Sequence, residues 1–481
     1  MQKKYNILIM SPVGRTEDGN QIDYFPARWS GSSGKYKVNS FYPYELAYLS
    51  SNLKQKTQHH VRMIDANYYG VDTEEYINII NTLNADILVI EVDSIIYKKQ
   101  LEIIQKAKLN GLKSKVIFCG SHPTAYPEYT LDNGVDYVAL GEFEESITNL
   151  IINNFDSNIK GIYPNERAEL VCLDNLTLPE DEDIKRKNYT RLYGSEYKEV
   201  EVFATRGCPY MCNFCVASNI YYGRPSFRVR KIESVISEIK YLVNTIPELE
   251  GIFFNEETHT LNKNYIMKLC DMIIEEKLNY LKFNCMTNYA TLDYELLCKM
   301  KKAGYYKIRI GIETLDEKNT KSITQSGIKS KNNKLLSILE ICKEIGIKVY
   351  CTLSVGTFGS TYQKDINSLN QIKILYEKDL VQEFSISMNT PMPGTPFYKV
   401  CEENNWLLKE NSSYDGAYKP MINLPNYSMQ DIGNAFEYGN TIKDYIINRN
   451  KEKGIKYSMY DRVWCESVYR TSNRVIGEGI I

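Results

Sequence analysis

Short apolar runs alternate with amphipathic stretches along the first 150 residues. The runs at 5–10, 61–64, 87–92 and 116–119 are apolar without period-two alternation, the pattern of parallel strands covered on both faces. Helical periodicity fills the intervals at 43–56, 73–83 and 98–111, the last closing at Gly111. A further strand at 137–140 ends in Gly141-Glu142. Strands that alternate with helices predict a doubly wound α/β domain. Such a sheet binds ligands at the carboxyl ends of its strands. The loops there are Ser11-Pro12-Val13-Gly14, Asp65-Ala66-Asn67, Gly120-Ser121-His122-Pro123-Thr124 and Gly141-Glu142. No GxGxxG follows the first strand, which argues against a dinucleotide.

The pattern then changes. Asn, Asp, Glu and Pro accumulate around 154–188, which predicts an ordered linker over 151–197 with a short β excursion at 160–174. Strand-helix alternation resumes at about 198. Candidate strands lie at 200–204, 251–254, 282–286, 307–312, 349–355 and 383–388, with helices at 231–246, 262–277, 293–303, 332–345 and 362–378 between them. Six such units predict a partial (β/α)6 TIM-like barrel over 198–395, whose chemistry belongs at the carboxyl ends of its strands. Residues 396–481 read as a mainly helical segment.

Composition narrows the function class. A formal net charge of −2, from 58 basic and 60 acidic residues, leaves no electrostatic footprint for nucleic acid. The first apolar run is too short for a signal sequence, and no run reaches the length of a membrane span. The expected location is the cytoplasm, where disulfides are disfavoured. Of 12 cysteines, most sit singly in apolar stretches and read as small core hydrophobes.

Three crowd together. Directly after the strand at 200–204 comes Thr205-Arg206-Gly207-Cys208-Pro209-Tyr210-Met211-Cys212-Asn213-Phe214-Cys215. Thiolates are the ligands that iron–sulfur clusters use. Three on a four-iron cube leave one iron open, as a catalytic site requires. A structural zinc site is the competing reading, but the loop offers no fourth ligand and the next histidine downstream is His259.

The spacing CxxxCxxC after a first barrel strand, with the aromatic Phe214 before the last cysteine, resembles the signature of the radical SAM superfamily. The resemblance implies that Cys208, Cys212 and Cys215 hold a 4Fe–4S cluster and that S-adenosylmethionine chelates the open iron. Its reductive cleavage would give a 5′-deoxyadenosyl radical. The resemblance also assigns cofactor contacts. Glu256 or Glu257, after the strand at 251–254, would meet the methionyl amine. Glu313, in Gly311-Ile312-Glu313-Thr314, would face ribose or methionine. Ser354 and Gly356 would lie beside the adenine. The turn Pro393-Gly394-Thr395-Pro396 also matches the family.

The amino-terminal third resembles the Rossmann-like cobalamin-binding domain joined to one radical SAM class. The matching stretches are 42–49, 120–124 and 135–142. On this basis residues 1–150 form the cobalamin domain, and Ser11, Pro12, Gly120, Ser121, His122, Pro123, Gly141 and Glu142 line its ligand edge. His59, His60 and His122 all lack the Asp-x-His-x-x-Gly context of a cobalt ligand, so cobalamin would be held without one. His122 would then order a loop or meet the corrin periphery.

The combined resemblance implies a cobalamin-dependent radical SAM methyltransferase acting on an unactivated carbon, or phosphorus, of a small-molecule substrate. One S-adenosylmethionine would methylate cob(I)alamin, and a second would generate the radical that activates the substrate for methyl capture. A low-potential donor such as flavodoxin or ferredoxin would supply electrons. Two alternatives remain open: an oxidoreductase or cyclase of the same architecture without net methyl transfer, and a non-enzymatic cobalamin or redox sensor. Trp406, Tyr414, Tyr418 and Tyr427 are aromatic candidates to line the substrate pocket.

Overall fold

The protein is described by a computed structural model covering residues 3–15, 19, 21–23, 32–34, 41–190, 195–324, 332–408 and 420–455, with residues 32–34 described by backbone alone. Two parallel sheets organise it. The first holds β1 (Asn6–Met10), β2 (His60–Ile64), β3 (Ile87–Glu91), β4 (Lys115–Cys119) and β5 (Tyr137–Val138), in the spatial order β2-β1-β3-β4-β5. Every pairing within it is parallel. Chain direction across the sheet reverses between β1 and β3, which opens a crevice at their carboxyl ends.

The unbroken apolar runs have a direct physical cause. Leu8, Met10, Leu88, Ile90, Val116 and Phe118 enter the core on one face. Their neighbours Ile7, Ile9, Ile87, Val89, Ile117 and Cys119 enter the core on the other. Each such side chain removed from water contributes about 1.5–3 kcal/mol. The covering helices begin where the sequence supplies caps. Asp72 accepts from Glu75 N while Glu75 reaches back to the cap, forming a capping box at Thr73–Leu83. Asn84 closes that helix in the left-handed conformation.

The second sheet holds β6 (Glu199–Val202), β7 (Gly251–Phe254), β8 (Lys282–Thr287), β9 (Tyr305–Glu313), β10 (Lys348–Val355) and β11 (Glu383–Met388). They pair in chain order, all parallel, with β6 and β11 at the two edges. Here β6 and the middle of β9 alternate. Val200, Val202, Ile308 and Ile310 join the outer core under the helices. Glu199, Glu201, Lys307 and Arg309 fall on the opposite, lumen face, where all four are buried. The floor of the lumen is filled by ion pairs. Lys307 meets Glu383 and Glu196, and Arg309 bonds Asn284 and Ser195.

Several expectations change. The β excursion at 160–174 reduces to one bridge between Ala139 and Ile162, followed by a short 3-10 turn at Leu173–Asn175. Residues 121–125, expected as loop, form one helical turn, and a second follows at Pro127–Asp132. The strand expected at 200–204 ends at Val202, and Thr205–Arg206 pairs separately with Arg228–Val229. In the last segment, helices span Pro396–Glu403 and Met429–Glu452, with bridged irregular chain in the described residues between them. Trp406 packs against the barrel core and Tyr427 is buried in it, while Tyr414 and Tyr418 lie outside the described residues. Among the described residues no helix is long and apolar enough to cross a membrane.

Candidate active site between the two sheets

The cysteine loop leaves the barrel at the carboxyl end of β6 and is held on all sides. Gly207 enters it with φ +99, and a Cβ there would stand 2.5 Å from Ser226 Oγ, so only glycine passes. Cys215 N donates to Cys212 O at 3.0 Å. Asn219 Nδ2 donates to the carbonyls of both Cys212 and Cys215 at 2.8 Å. Ser218 Oγ donates to Cys208 O. Asn213 ties the loop outward, with its N donating to Ile323 O and its O accepting from Phe397 N. Phe214 packs against the barrel core. The loop's carbonyls are thus turned into the protein, and Thr258 Oγ1 and Ser218 Oγ approach the sulfurs of Cys208 and Cys215 at 3.9 Å.

Burial, then Cys215 and Glu257 nearby, pushes the Cys208 thiol up to about 11. Burial raises Cys215 as well, with Glu257 again contributing. Such thiols keep their protons until a cation replaces them. Three sulfur donors on one anchored loop, with no competing hard ligand among them, fit an iron–sulfur cluster. Among the described residues no three His, Cys, Asp or Glu side chains already converge on a single metal-ion position, so this fit rests on donor chemistry.

The two glutamates after β7 part company. Glu256 is fully buried and saturated. Its carboxylate accepts from Ala204 N, Thr205 N and Thr205 Oγ1, and meets His259 Nδ1 at 2.9 Å. These bonds pin the exit of β6. Glu257 is half-buried, accepts from Gly207 N and Tyr222 OH at 2.9 Å, and stands beside the thiols.

Glu313 ends β9 at a β-bulge with φ +64, and Thr314 N donates back to Ile312 O at 2.8 Å. A non-glycine residue held in this tight turn stores backbone strain, which marks a site where side-chain direction matters. Ser354 Oγ lies 2.9 Å from Ser387 Oγ on the neighbouring strand. Gly356 N donates to Asp365 Oδ2 at 2.9 Å. Glu257, Glu313, Ser354 and Gly356 therefore all stand at carboxyl ends of barrel strands.

The facing edge of the first sheet is preassembled. Ser11 Oγ donates to Asp65 Oδ1 at 2.6 Å and accepts from Asn67 N. Pro12 is buried beside it. Ser121, His122 and Pro123 form the buried turn after Gly120. His122 Nδ1 bonds Ser94 Oγ at 2.8 Å, and its ring lies 3.8 Å from that of Tyr97. Burial holds its pKa down at about 3, so the ring is neutral. Of the other two histidines of this domain, His60 opens β2 and His59 bonds Tyr5 N, both at the amino end of the sheet. With His122 neutral and bonded to Ser94, and His59 and His60 at the other end of the sheet, this edge fits a corrin held without a histidine ligand.

Gly141 N donates to Thr124 Oγ1, joining the last two loops. Glu142, expected at the ligand edge, forks with Arg228 at 2.7 and 2.8 Å and accepts from Val171 N. The two edges meet. Ser121–Ala125 packs on the turn Ala217–Tyr221 that follows Cys215, and Ala125 joins Val216, Ile220 and Met392 in one apolar cluster. Residues with no role assigned from sequence hold this arrangement: Arg206, Ser218, Asn219, Tyr222 and Asp365. Arg206 and Asn219 carry a signal in their closeness to the triad, but their partners do not.

Comparison with known proteins agrees with this arrangement. Residues 202–372 match the radical SAM superfamily and residues 38–151 match the B12 binding domain. The chain is 25% identical to an uncharacterized methyltransferase of Pyrococcus horikoshii, over 81% of this chain and 85% of that one. It is 24% identical to the anaerobic magnesium-protoporphyrin IX monomethyl ester cyclase of Synechocystis, over 64% of this chain and 62% of the relative. Among solved structures, the radical S-adenosylmethionine methyltransferase TsrM from Kitasatospora setae, with cobalamin and a [4Fe-4S] cluster bound, shares the fold. Its TM-score is 0.66 at 14% identity, covering 99% of this chain and all of that one.

Proposed function

We propose that this chain, whose residues 202–372 match the radical SAM superfamily and 38–151 the B12 binding domain, is a cobalamin-dependent radical SAM methyltransferase that methylates an unactivated carbon, or phosphorus, of a small-molecule substrate held between the two sheets. The observation that carries the reading is the packing of Ser121–Ala125 on Ala217–Tyr221, because it sets the cobalamin-domain edge directly against the cysteine loop. When bound, the cluster with S-adenosylmethionine supplies a radical that removes hydrogen, and cobalamin supplies the methyl group.

The chain's own residues divide the remaining work. Cys208, Cys212 and Cys215 hold the cluster. Glu257 receives the methionyl amine and Glu313 the ribose or methionine, while Ser354 and Gly356 border the adenine. Ser11, Pro12, Gly120, Ser121, His122, Pro123 and Gly141 shape the corrin crevice. Residues 1–150 form the cobalamin domain, 151–197 the linker, 198–395 the barrel and 396–481 the segment that closes over the substrate. The barrel's lower end is sealed by the Lys307–Glu383–Glu196 pairs, so substrate enters from the interdomain side. Burial of both edges excludes water from the reaction. The electron source is a low-potential flavodoxin or ferredoxin of the cytoplasm, and no nucleic acid takes part.

The test is anaerobic reconstitution with iron, sulfide and hydroxocobalamin, followed by metal analysis and then by tracing of labelled methyl from S-adenosylmethionine. About four irons and one cobalt per chain, with label in the product, is the expected result. Four irons without cobalt would overturn cobalamin dependence. Turnover to an unlabelled oxidised product would replace methyl transfer by cyclisation or oxidation.

A further inference from the structure

The two edges are bolted together by one buried ionic network that touches both sides of the cysteine loop. Arg206, two residues before Cys208, is 1% exposed and reaches across to Glu144 Oε1 at 2.6 Å and Glu142 Oε1 at 3.4 Å. Both carboxylates directly follow Gly141, the last loop of the first sheet's ligand edge. Arg228, which pairs antiparallel with Arg206, takes the other side of Glu142. The guanidinium of Arg206 also lies 5.2 Å from the ring centre of Tyr48 in the first helix of the domain. On the far flank, Gly141 has φ +70, and a Cβ there would stand 2.5 Å from Tyr221 O. Arg167 of the linker donates to Ile220 O and Tyr221 O at 2.7 and 3.3 Å.

A buried ion pair is poor evidence for stability, since desolvation offsets its attraction, but a single unmatched charge left inside is costly, which makes the pairing directional. This pairing does not lie in a general packing face. It joins the residue that launches the cysteine loop to the residues that end the opposing ligand loop. A second buried network provides the contrast. Arg186 and Arg230 both meet Glu238 at 2.7 and 2.6 Å, and Tyr44 of the first domain donates to the same carboxylate at 2.8 Å, yet the two guanidinium groups reach the backbone only at Glu201 and Phe203, before the cysteine loop begins.

We propose that Arg206 and Glu144 are positioning residues that set the distance between the cysteine-bound cluster and the corrin, through the contact Arg206–Glu144 at the seam of the two domains. The inference rests on the reading that both groups are bound. The pair touches neither the substrate nor a reacting atom. It fixes the gap in which the substrate must sit, and misplacement on the scale of an ångström costs about 10²-fold in rate.

The test uses full-length protein reconstituted with cluster and cobalamin, reduced to the paramagnetic cluster and cob(II)alamin, and measures the magnetic dipolar coupling between them. Arg206→Lys and Glu144→Gln are expected to retain iron and cobalt, to shift and broaden the coupling, and to lose turnover. Glu238→Gln is expected to lower the melting temperature and leave the coupling as in the wild type. If Arg206→Lys fails to fold, Glu144→Gln decides alone. Unchanged coupling in the Arg206 and Glu144 variants overturns the proposal. So does equal broadening in Glu238→Gln, which would make the effect one of general loosening. A wild-type chain that takes up the cluster but no cobalt overturns the functional reading, and this inference with it.

Discussion

Two ligand edges face each other in this protein, and they are built on opposite principles. The edge of the first sheet is buried and already satisfied, and its histidine is neutral. Ser11, Asp65 and Asn67 bond one another, and His122 is closed onto Ser94 and Tyr97. The mouth of the barrel keeps a half-buried acceptor, half-buried thiols and a strained residue: Glu257, Cys208, Cys215 and Glu313. A surface of satisfied groups cannot chelate, but it can receive a large flat ligand by shape and dispersion. A surface of carboxylates and thiols can hold iron and an amino-acid headgroup. The difference teaches why one fold needs two domains here. The two kinds of environment exclude each other within a single crevice.

The comparison breaks most completely at the sulfurs. Replacing Cys208, Cys212 and Cys215 together with alanine is expected to take bound iron from about four per chain to none. Cobalamin uptake by the first edge should persist, since that edge shares no ligand with the cluster. Iron analysis and visible spectra of the reconstituted variant decide it. A surviving four-iron spectrum would show that the mouth of the barrel does not depend on its thiols.

The neutral ring of His122 tests the other edge. Burial holds its pKa at about 3. The unfolded chain therefore takes the proton first as pH falls. Stability is complete above the unfolded value near 6.5 and is lost on going down toward about 3, by about 5 kcal/mol in full. His122→Gln keeps a partner for Ser94 and removes the titration. Urea denaturation across this range should show the wild type losing stability relative to the variant on acidification. Parallel pH profiles would mean that the ring is charged in the folded protein.

What could be read in the sequence, and what could not, follows the same division. The strands of the first sheet were legible because burial on two apolar faces writes an unbroken apolar run, and those of the barrel because they alternate with helical periods, although their buried lumen face is polar at Glu199, Glu201, Lys307 and Arg309. The cysteine triad was legible because its spacing is local. The partners of Glu142 and Glu256 were not legible for a complementary reason. The sequence shows a carboxylate at a strand end but not that its oxygens are taken by Arg228, Arg206 and Val171, or by Ala204 and Thr205, more than 20 residues away. Glu257, one position on, carries the same signal and keeps its place at the loop. The bulge under Glu313 arises from a register slip between two strands, which no single strand encodes. One-turn helices such as Ser121–Ala125 are too short to write a period.

Asp365 sharpens the comparison from beneath the barrel mouth. It lies in the first turn of the helix Tyr362–Glu377, accepts from Gly356 N and Ser360 Oγ, and takes the hydroxyl of Tyr427 at 2.7 Å. It thus fastens the loop after β10 to the carboxyl-terminal segment. Despite three donors, burial dominates and raises its pKa to about 6. The sign is opposite to that of His122. Between the unfolded value near 4 and about 6, the folded chain holds the proton that the unfolded chain has released, so stability falls as pH rises through this window, by about 2–3 kcal/mol. Asp365→Asn removes the titration and should flatten that decline, read as the difference between wild-type and variant urea midpoints. A wild type that gains stability over the same window relative to the variant would mean that the carboxylate is better held than its burial implies. The contact to Tyr427 would then act as a permanent tie. With the expected result, burial costs the carboxylate more than its three donors return, so the fold loses stability toward neutrality even though each donor favours the ionised form.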